Sequence, residues 1–468
     1  MKIEQIYTGC LAQGAYYIYS DGEAAIIDPL REVNSYIEKA AANGVKIKYV
    51  FETHFHADFV SGHVTLAEKT GAPIIYGPNA NPSFEAHIAK DGEVFKIGKI
   101  SIKVLHTPGH TMESSTYLLI DENGKDTAIF TGDTLFLGDV GRPDLAQKSN
   151  EMTQEDLAGI LFDSLRVKIM PLADDVIVYP AHGAGSACGK NMMKETVDTL
   201  GNQKKMNYAL RADMTKEEFV AEVTEGLAAP PAYFPLNVKM NKEGYESIDT
   251  VLASGTKALS PNELEVIVNE VGALMLDVRD PQSFADGHIP NSIFIGLDGS
   301  FAPWVGELIV DVKQPIVLIC PEGRENETVT RLARVGFDNT LGYLKGGIKN
   351  WMSANKAIDK VTRIDAQQLR ESFSRYTGKI FDVRKPAEYQ TNHIEEANNT
   401  TLSNLNSHLS EFPTEEKFVI HCAGGYRSII AASILKSRGL HNFVEVLGGF
   451  KAISKTKLPI TNLNLTNS

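Results

Sequence analysis

The segment Thr53–Phe59, which reads THFHADF, is the stretch of this chain best suited to binding a metal ion. Two imidazoles, at His54 and His56, are followed by the carboxylate of Asp58. This spacing cannot place all three groups on one helix face, but a loop after the apolar strand at 47–52 can bring them together. The segment therefore predicts part of a metal site.

Three further ligand-type residues follow apolar strands in the same way. His110 stands on a Pro-Gly turn, Asp133 ends the run at 127–130, and His182 lies in the sequence YPAHG. Strands that end in loops carrying ligands allow a rigid sheet to position a metal site. Cys188, on a glycine-rich loop after His182, either lines this pocket and relays sulfur or is an ordinary small residue in a turn.

These residues resemble the metallo-β-lactamase superfamily, whose pattern is an HxHxDH loop, a histidine on a Pro-Gly turn, a bridging aspartate and a final histidine. The match covers roughly residues 1–230 and implies an αββα sandwich. The metal ligands that the resemblance implies are His54, His110 and Asp133, and His56 is either a third imidazole on the metal or a pocket group that holds substrate or water.

One residue departs from the superfamily pattern. Phe59 stands where the pattern has its fifth ligand, and a phenyl ring cannot bind a metal. A mononuclear centre is therefore favoured over a dinuclear one. Asp58 and His182 then either position the other ligands or are what is left of a second metal position.

The set formed by His54, His110 and Asp133 is two imidazoles and one carboxylate, which is associated with non-haem Fe(II). The stretch 132–145, GDTLFLGDVGRPDL, resembles the persulfide dioxygenases, and 179–190 resembles the branch of that family fused to rhodanese domains. The resemblance implies one Fe(II) per chain, with zinc as the alternative. Arg142 lies on the first stretch, where a cation could grip an anionic substrate.

The composition is that of a globular protein, with 43% hydrophobic and 22% charged residues. A chain of 468 residues predicts two to four domains. The net charge of −13 argues against a nucleic-acid partner, and no apolar run predicts a membrane span. Four scattered cysteines and an N-terminus without an apolar signal core favour a reducing, cytoplasmic setting.

The second half of the chain contains an internal repeat. The sequence LDVRDP at 276–281 recurs as FDVRKP at 381–386, and Cys320 recurs as Cys422. Both copies resemble rhodanese domains, with Asp-Val-Arg after one strand and a cysteine after another. The predicted division is a metallo-β-lactamase-fold persulfide dioxygenase domain at 1–235, a linker at 236–258, and rhodanese-like α/β domains at 259–356 and 361–460.

The two repeat cysteines lie in loops of different chemistry. Cys422 precedes the loop AGGYR and a helix, so backbone N–H groups, a helix N-terminus and Arg427 can stabilise a thiolate or persulfide anion. Around Cys320, Pro321 removes one N–H donor and two glutamates repel a thiolate. We therefore expect Cys422, Arg427 and Arg142 to be catalytic and the domain at 259–356 to be degenerate.

The resulting hypothesis is iron-dependent oxidation of a low-molecular-weight persulfide, such as that of glutathione or coenzyme A, to sulfite and thiol. This reaction is coupled to formation or use of thiosulfate at Cys422. The alternative is a dinuclear zinc thioester hydrolase of the glyoxalase II kind with accessory rhodanese domains, and a third hypothesis is a sulfur carrier that only binds persulfide. The expected partners are the persulfide, O2, sulfite or thiosulfate, and further copies of the chain in a homo-oligomer, without nucleic acid or membrane.

Overall fold

The computed structural model describes residues 1–146, 152–227 and 229–462. They form two compact units: the first holds Met1–Ile248 with Ala333–Gly336, and the second holds Asp249–Leu332 with the chain from Phe337 onward. Within the described ranges, no helix combines the length and the apolar character that crossing a membrane requires.

The first unit is built from two sheets and the helices that cover them. Its elements are β1 (Lys2–Thr8), β2 (Gln13–Ser20), β3 (Glu23–Ile27), α1 (Asn34–Ala42), β4 (Lys46–Phe51), α2 (His63–Thr70), β5 (Ile74–Tyr76), β6 (His87–Ile88), β7 (Val94–Ile97), β8 (Ile100–His106), β9 (Ser115–Ile120), β10 (Asp126–Gly132), α3 (Gln154–Ser164), β11 (Ile177–Pro180), β12 (Asp198–Thr199), α4 (Leu200–Met206), α5 (Lys216–Thr224) and α6 (Phe234–Glu243).

The two sheets pack face to face, as the predicted αββα sandwich requires. One has the strand order β1-β2-β3-β4-β5-β6 and the other the order β12-β11-β10-β9-β8-β7. Inward-facing residues of both sheets share one core, in which Phe51 and Tyr117 lie with ring centroids 4.9 Å apart. The outer faces pack on helices, since Tyr36 of α1 and Phe219 of α5 are buried against them.

The predicted ligands all lie just beyond the ends of strands β4, β8, β10 and β11. The β10 end comes very close to the loop after β4. A Cβ atom at Gly132 would lie 2.6 Å from Thr53 Oγ1, and the backbone of Gly132 has φ +52°. Glycine is therefore needed for Asp133 to reach the loop that carries His54.

The second unit contains two smaller α/β layers. Its elements are α7 (Ile248–Gly255), β13 (Ala258–Leu259), α8 (Pro261–Val271), β14 (Leu274–Asp277), α9 (Pro281–Asp286), β15 (Ile293–Phe294), α10 (Phe301–Leu308), β16 (Ile316–Ile319), α11 (Glu325–Ala333), β17 (Thr340–Leu344), α12 (Gly347–Ser353), β18 (Arg363–Ile364), α13 (Ala366–Ser372), β19 (Ile380–Asp382), α14 (Pro386–Thr391), β20 (Asn392–Ile394), β21 (Asn398–Asn399), β22 (Phe418–His421), α15 (Tyr426–Ser437), β23 (Phe443–Val446), α16 (Gly449–Ile453) and β24 (Ile460–Asn462).

The internal repeat corresponds to a repeat of topology. One sheet has the order β13-β17-β16-β14-β15, and the other has the matching order β18-β23-β22-β19-β21. Each has its own core, one including Val317 and Leu344 and the other Val419 and Val446. The predicted α/β class and the pair of sibling domains are confirmed.

The segment 236–258, expected to be a linker, is largely helical. It contains most of α6 and all of α7, and the division between the units falls after Ile248. The side chain of Asn241 on α6 is fully buried and bonds to the metal loop, so α6 is part of the first unit. The expectation of a linker is wrong for this helix because proline-rich sequence at 230–235 does not prevent a helix from starting at Phe234, where Pro235 occupies its first turn.

Candidate metal centre and sulfur-transfer site

Three of the predicted ligands form one buried group. His54, His110 and Asp133 each offer a donor atom, and these atoms lie within 4.8 Å of one another. His110 Nε2 is 3.4 Å and His54 Nε2 is 4.0 Å from Asp133 Oδ2. Both carboxylate oxygens of Asp133 are buried without a hydrogen-bond partner among the described residues. A cation at this position would satisfy them, so the residues fit a metal ion.

The protein itself orients the imidazoles of this group. His110 Nδ1 lies 2.8 Å from the carbonyl oxygen of Arg142, which can only accept, so Nδ1 carries a proton and Nε2 is the atom that can face a metal. His54 Nδ1 lies 3.0 Å from Thr53 Oγ1, and that hydroxyl donates to Asp28 Oδ2 at 2.9 Å. Such outer partners fix the tautomer of a ligating histidine.

The charge of His54 also suits a ligand. Burial, together with the neighbouring histidines His56, His110 and His182, lowers the pKa of His54 well below its usual value. The imidazole is therefore neutral at physiological pH, which is the form that donates a lone pair to a metal.

His56 is placed differently from the other predicted ligands. Its Nε2 lies 3.1 Å from Asp28 Oδ1 and 3.5 Å from Glu52 Oε2. Burial opposes protonation, but Asp28 and Glu52 outweigh it and raise the pKa of His56 to about 9. His56 is absent from the group of His54, and belongs instead to groups with Asp28 and Glu52 and with Asp58 and His182.

The second set of predicted residues forms a group beside the first. His182 Nε2 lies 3.4 Å from Asp58 Oδ2 and 3.5 Å from Asp133 Oδ1, while its Nδ1 faces the carbonyl oxygen of Ala12 at 3.3 Å. Burial alone would lower the pKa of His182, but Asp58 and Asp133 raise it well above its usual value. Asp133 is thus shared between the two groups, and either a proton or a cation can occupy the space between His182 and the carboxylates.

Cys188 lines this second group. Its sulfur lies within 4.8 Å of donor atoms of Asp133 and His182. Burial and the two carboxylates Asp58 and Asp133 raise the pKa of the Cys188 thiol to about 12. Cys188 therefore lies in the pocket with a protonated thiol, and its role as a sulfur relay stays a prediction.

The guanidinium of Arg142 is bound to protein groups. It donates to both carboxylate oxygens of Asp144, at 2.6 and 2.7 Å, and to the carbonyl oxygen of Ala187 at 3.2 Å. The backbone N–H of Arg142 donates to the carbonyl oxygen of Cys188 at 3.0 Å. These contacts brace the loop that carries Cys188, whereas the sequence analysis expects Arg142 to grip substrate.

The loop after β22 surrounds the Cys422 sulfur with donors. The Gly425 N–H donates to Sγ at 3.1 Å, and the Ser428 hydroxyl lies 3.4 Å from it. Arg427, predicted to assist the thiolate, donates to both carboxylate oxygens of Glu388 at 2.6 and 2.8 Å. Glu388 therefore offsets part of the positive charge that Arg427 brings to the site.

The loop around Cys320 in the first repeat contacts the cysteine sulfur in a different way from the Cys422 loop. The Cys320 thiol donates to Thr328 Oγ1 at 3.6 Å, and burial raises its pKa to about 12. Arg324, at the position matching Arg427, is bound to Asp298 and Glu327. A protonated, donating thiol agrees with the expectation of a degenerate domain, which remains a prediction.

Two residues important for the site are missed by the sequence analysis. Asp28 accepts a hydrogen bond from the Thr53 N–H at 2.8 Å and helps to orient His54 through the Thr53 hydroxyl. Its signal was an Asp-Pro pair directly after the apolar strand at 23–27. Asn241 bonds to the metal loop from a position 185 residues after His56, and nothing in its local sequence distinguishes it.

Comparison with known proteins agrees with this architecture. The family model described as the metallo-beta-lactamase superfamily matches residues 8–182, and the rhodanese-like domain model matches 260–354 and 365–456. The chain is 30% identical over 213 residues to hydroxyacylglutathione hydrolase GloC of Haemophilus influenzae, which spans 41% of this chain and 94% of that protein. The chain belongs to the metallo-β-lactamase superfamily. Its metallo-β-lactamase domain is followed by two rhodanese-like domains.

Two solved structures extend this comparison. A metallo-beta-lactamase from Staphylococcus aureus subsp. aureus COL is 31% identical, with a TM-score of 0.64, and the match covers 74% of this chain and 98% of that protein. ETHE1 from Myxococcus xanthus is 27% identical, with a TM-score of 0.44, and covers 52% of this chain and 98% of its own. The Staphylococcus aureus similarity reaches beyond the metallo-β-lactamase domain.

Proposed function

We propose that this protein oxidises a low-molecular-weight persulfide with O2 at an iron site and transfers sulfane sulfur at Cys422. The observation that carries the proposal is the group formed by His54, His110 and Asp133. Two imidazoles and one carboxylate, which leave coordination positions on the metal open, are the donor set of non-haem Fe(II) oxygenases. Phe59, which is fully buried, supplies no donor where the superfamily pattern has a further ligand.

The dioxygenase reaction converts persulfide, O2 and water to thiol, sulfite and two protons. Iron(II), when bound, would supply the activation of O2 and of the persulfide sulfur. The chain's residues hold and orient the ligands: Arg142 and Thr53 fix the protonated Nδ1 atoms of His110 and His54, and burial excludes bulk water from the site. Cys188 places a thiol beside the donors of Asp133 and His182, where it could receive a sulfur atom from substrate.

The second half of the proposed activity connects the domains chemically. Sulfite is a nucleophile towards the outer sulfur of a Cys422 persulfide, and attack releases thiosulfate and the Cys422 thiolate. Run in reverse, thiosulfate loads Cys422. The donors that surround Cys422 Sγ, namely the Gly425 N–H and the Ser428 hydroxyl, suit an anionic sulfur in both states.

A dinuclear zinc thioester hydrolase is the second candidate. It is favoured by the group formed by His56, Asp58 and His182, which offers donors for a second ion beside the first. A hydrolase activity is also named in the relative from Haemophilus influenzae, a hydroxyacylglutathione hydrolase. Under this reading the rhodanese-like domains are accessory to the hydrolase.

Metal analysis together with an oxygen electrode separates the two candidates. We expect about one iron per chain and O2 uptake with a persulfide after purification under iron-replete, anaerobic conditions. Two zinc ions per chain with thioester hydrolysis would instead establish the second candidate. If the protein holds neither metal and shows neither activity, the remaining hypothesis is a sulfur carrier that only binds persulfide.

Product analysis of two variants then tests the coupling. Cys422→Ser should still consume O2, but its product should shift from sulfite with thiosulfate to sulfite alone. Asp133→Ala should lose O2 uptake and keep sulfur transfer from thiosulfate to cyanide. If Cys422→Ser stops O2 uptake outright, the two sites do not act independently, and Cys422 must deliver substrate to the metal domain.

A further inference from the structure

A buried carboxylate, that of Glu445, lies close to the Cys422 loop. Glu445 is fully buried on β23, an inner strand of its sheet, at a position flanked by Val444 and Val446. Its Oε2 accepts from Arg363 Nε of β18 at 2.8 Å, and its Oε1 lies 2.6 Å from Ser428 Oγ of α15. Burying a charged group at such a position costs free energy unless the group is paired.

Ser428 links this carboxylate to the reacting sulfur. Its hydroxyl lies 2.6 Å from Glu445 Oε1 and 3.4 Å from Cys422 Sγ. A hydroxyl has one proton to donate and can accept another hydrogen bond at the same time. It can therefore accept from a Cys422 thiol while donating to Glu445, or donate to a Cys422 thiolate while accepting from a protonated Glu445.

We propose that Ser428 and Glu445 take the thiol proton from Cys422, so that the sulfur is an anion throughout sulfur transfer. The inference rests on the proposed sulfur transfer at Cys422 and names the groups that activate it. Ser428, which contacts the sulfur, is a catalytic residue, and Glu445 is a positioning residue that acts through Ser428.

The proton movement balances in charge and atoms. The S–H bond of Cys422 breaks as its proton passes to Ser428 Oγ, and the Ser428 proton passes to Glu445. The thiolate then attacks the outer sulfur of the donor, the donor S–S bond breaks, and sulfite leaves when the donor is thiosulfate. The persulfide that forms on Cys422 is also an anion, so the proton stays on Glu445 until the thiol is restored.

The surroundings of Glu445 suit a group that changes protonation. Burial raises the pKa of Glu445, while Ser428 and Arg363 act in the opposite direction. The charged or titratable groups that face it are Arg363 from β18 and Cys422 with its loop, where a Cβ at Gly425 would lie 3.9 Å from Glu445 Oε1. Moving one proton between Cys422 and Glu445 leaves the total charge of the buried site unchanged, because the negative charge passes from Glu445 to the Cys422 sulfur.

The test follows the ultraviolet absorbance of the Cys422 thiolate against pH in the full chain. Each protein is compared with the same protein carrying Cys422→Ser, so that the difference reports Cys422 alone. Glu445→Gln keeps a partner for Ser428 but cannot take a proton, and Ser428→Ala breaks the link. We expect Ser428→Ala to raise the midpoint of thiolate formation by about one to two pH units, since a hydrogen bond to a charged group is of that size. Glu445→Gln is as neutral as a protonated Glu445 and should keep the midpoint. When iodoacetamide alkylates the Cys422 thiolate, wild type should release the proton held on Glu445, and Glu445→Gln should release none.

Two control variants separate this role from a structural one. Ser437→Ala removes a hydroxyl from the same helix and should keep the wild-type midpoint. Among the described contacts, this hydroxyl bonds only to the Ile434 carbonyl oxygen. Ser428→Thr retains the hydroxyl and should also keep it. Thiosulfate-to-cyanide transfer at neutral pH should fall by about tenfold or more in Ser428→Ala, in proportion to the lost thiolate.

A wild type that shows the thiolate absorbance but releases no proton on alkylation overturns the proposal, because Glu445 would then not hold the proton. If circular dichroism shows that Glu445→Gln does not fold, because Arg363 loses its partner, proton release by wild type and the midpoint of Ser428→Ala decide the question. The midpoint of thiolate formation is measured without a sulfur donor. A wild type that transfers no sulfur therefore contradicts the proposed function, while the midpoints still test the proton path.

Discussion

Replacing Asn241 by leucine should open the metal loop without touching a metal ligand. Asn241 Nδ2 donates to the carbonyl oxygens of His56 at 2.8 Å and Phe59 at 2.7 Å, and its Oδ1 accepts the Ser61 N–H at 2.9 Å. One amide thus satisfies three backbone groups of the loop. Leucine has nearly the same shape as asparagine but can form none of these hydrogen bonds.

The magnitude follows from the number of bonds lost. Each hydrogen bond contributes about 1 kcal/mol net, and buried groups left without a partner cost at least as much, so about 3 kcal/mol should be lost. This corresponds to an increase of roughly a hundredfold in the population of the opened loop. Asn237 provides a matched control on the same helix. It is fully buried, and its amide atoms have no hydrogen-bond partner among the described residues. Asn237→Leu should therefore cost less than about 1 kcal/mol.

Amide hydrogen exchange read by mass spectrometry on peptides covering 54–62 measures this local opening, which a single global unfolding midpoint of a two-unit chain cannot isolate. We expect roughly hundredfold faster exchange of this segment in Asn241→Leu and near wild-type exchange in Asn237→Leu. Equal exchange in the two variants would refute the reasoning, because the three hydrogen bonds would then contribute nothing to loop stability.

Three further predictions concern the shared carboxylate Asp133, the two repeat cysteines and the buried His63 of α2. Asp133→Ala removes the carboxylate shared by both ligand groups and should lower metal content by more than about tenfold, as measured by elemental analysis of the dialysed protein, because two neutral imidazoles hold Fe(II) weakly. Cys422→Ser should abolish thiosulfate-to-cyanide transfer, whereas Cys320→Ser should leave most of it; equal losses would mean that the Cys320 loop is active. Burial, together with the charges of His56 and Arg31, lowers the pKa of His63 to about 3. The unfolded chain therefore binds a proton below about pH 6.5 that the folded chain does not, and about 2 kcal/mol of stability should be lost by about pH 5. His63→Phe should show a smaller drop in melting temperature between neutral pH and pH 5, and an unchanged drop would contradict this assignment.

The parts of the site that sequence could predict are those encoded locally. His54, His110 and Asp133 each follow an apolar strand, and in such folds strand ends meet at one edge, so their convergence followed from the pattern. Cys422 was predicted in the same way, from a strand, a glycine-containing loop and a helix in succession. The rhodanese-like repeat was visible because two copies of one fold share one order of motifs.

The parts that sequence could not predict depend on distant partners. His56 was grouped with His54 from spacing, but its Nε2 faces Asp28, which is fixed by the pairing of β3 with β4. Asn241 and Glu445 act on groups from other elements, and the sequence around each resembles an ordinary helix or strand. Such contacts are decided by packing and register, which no local pattern records.

The hydrogen bonds that hold the ligand histidines have a consequence for how the protein acquires its ion. The Nδ1 atoms of His110 and His182 face main-chain carbonyl oxygens, and that of His54 faces a side chain held by Asp28. The donors are thus aimed by the folded chain rather than gathered by the ion, unlike a zinc finger, in which metal binding drives folding. Metal loading is then the last step of maturation. Under the proposed iron-dependent function, polypeptide synthesised in iron-starved cells should fold, persist and become active when ferrous iron is supplied later.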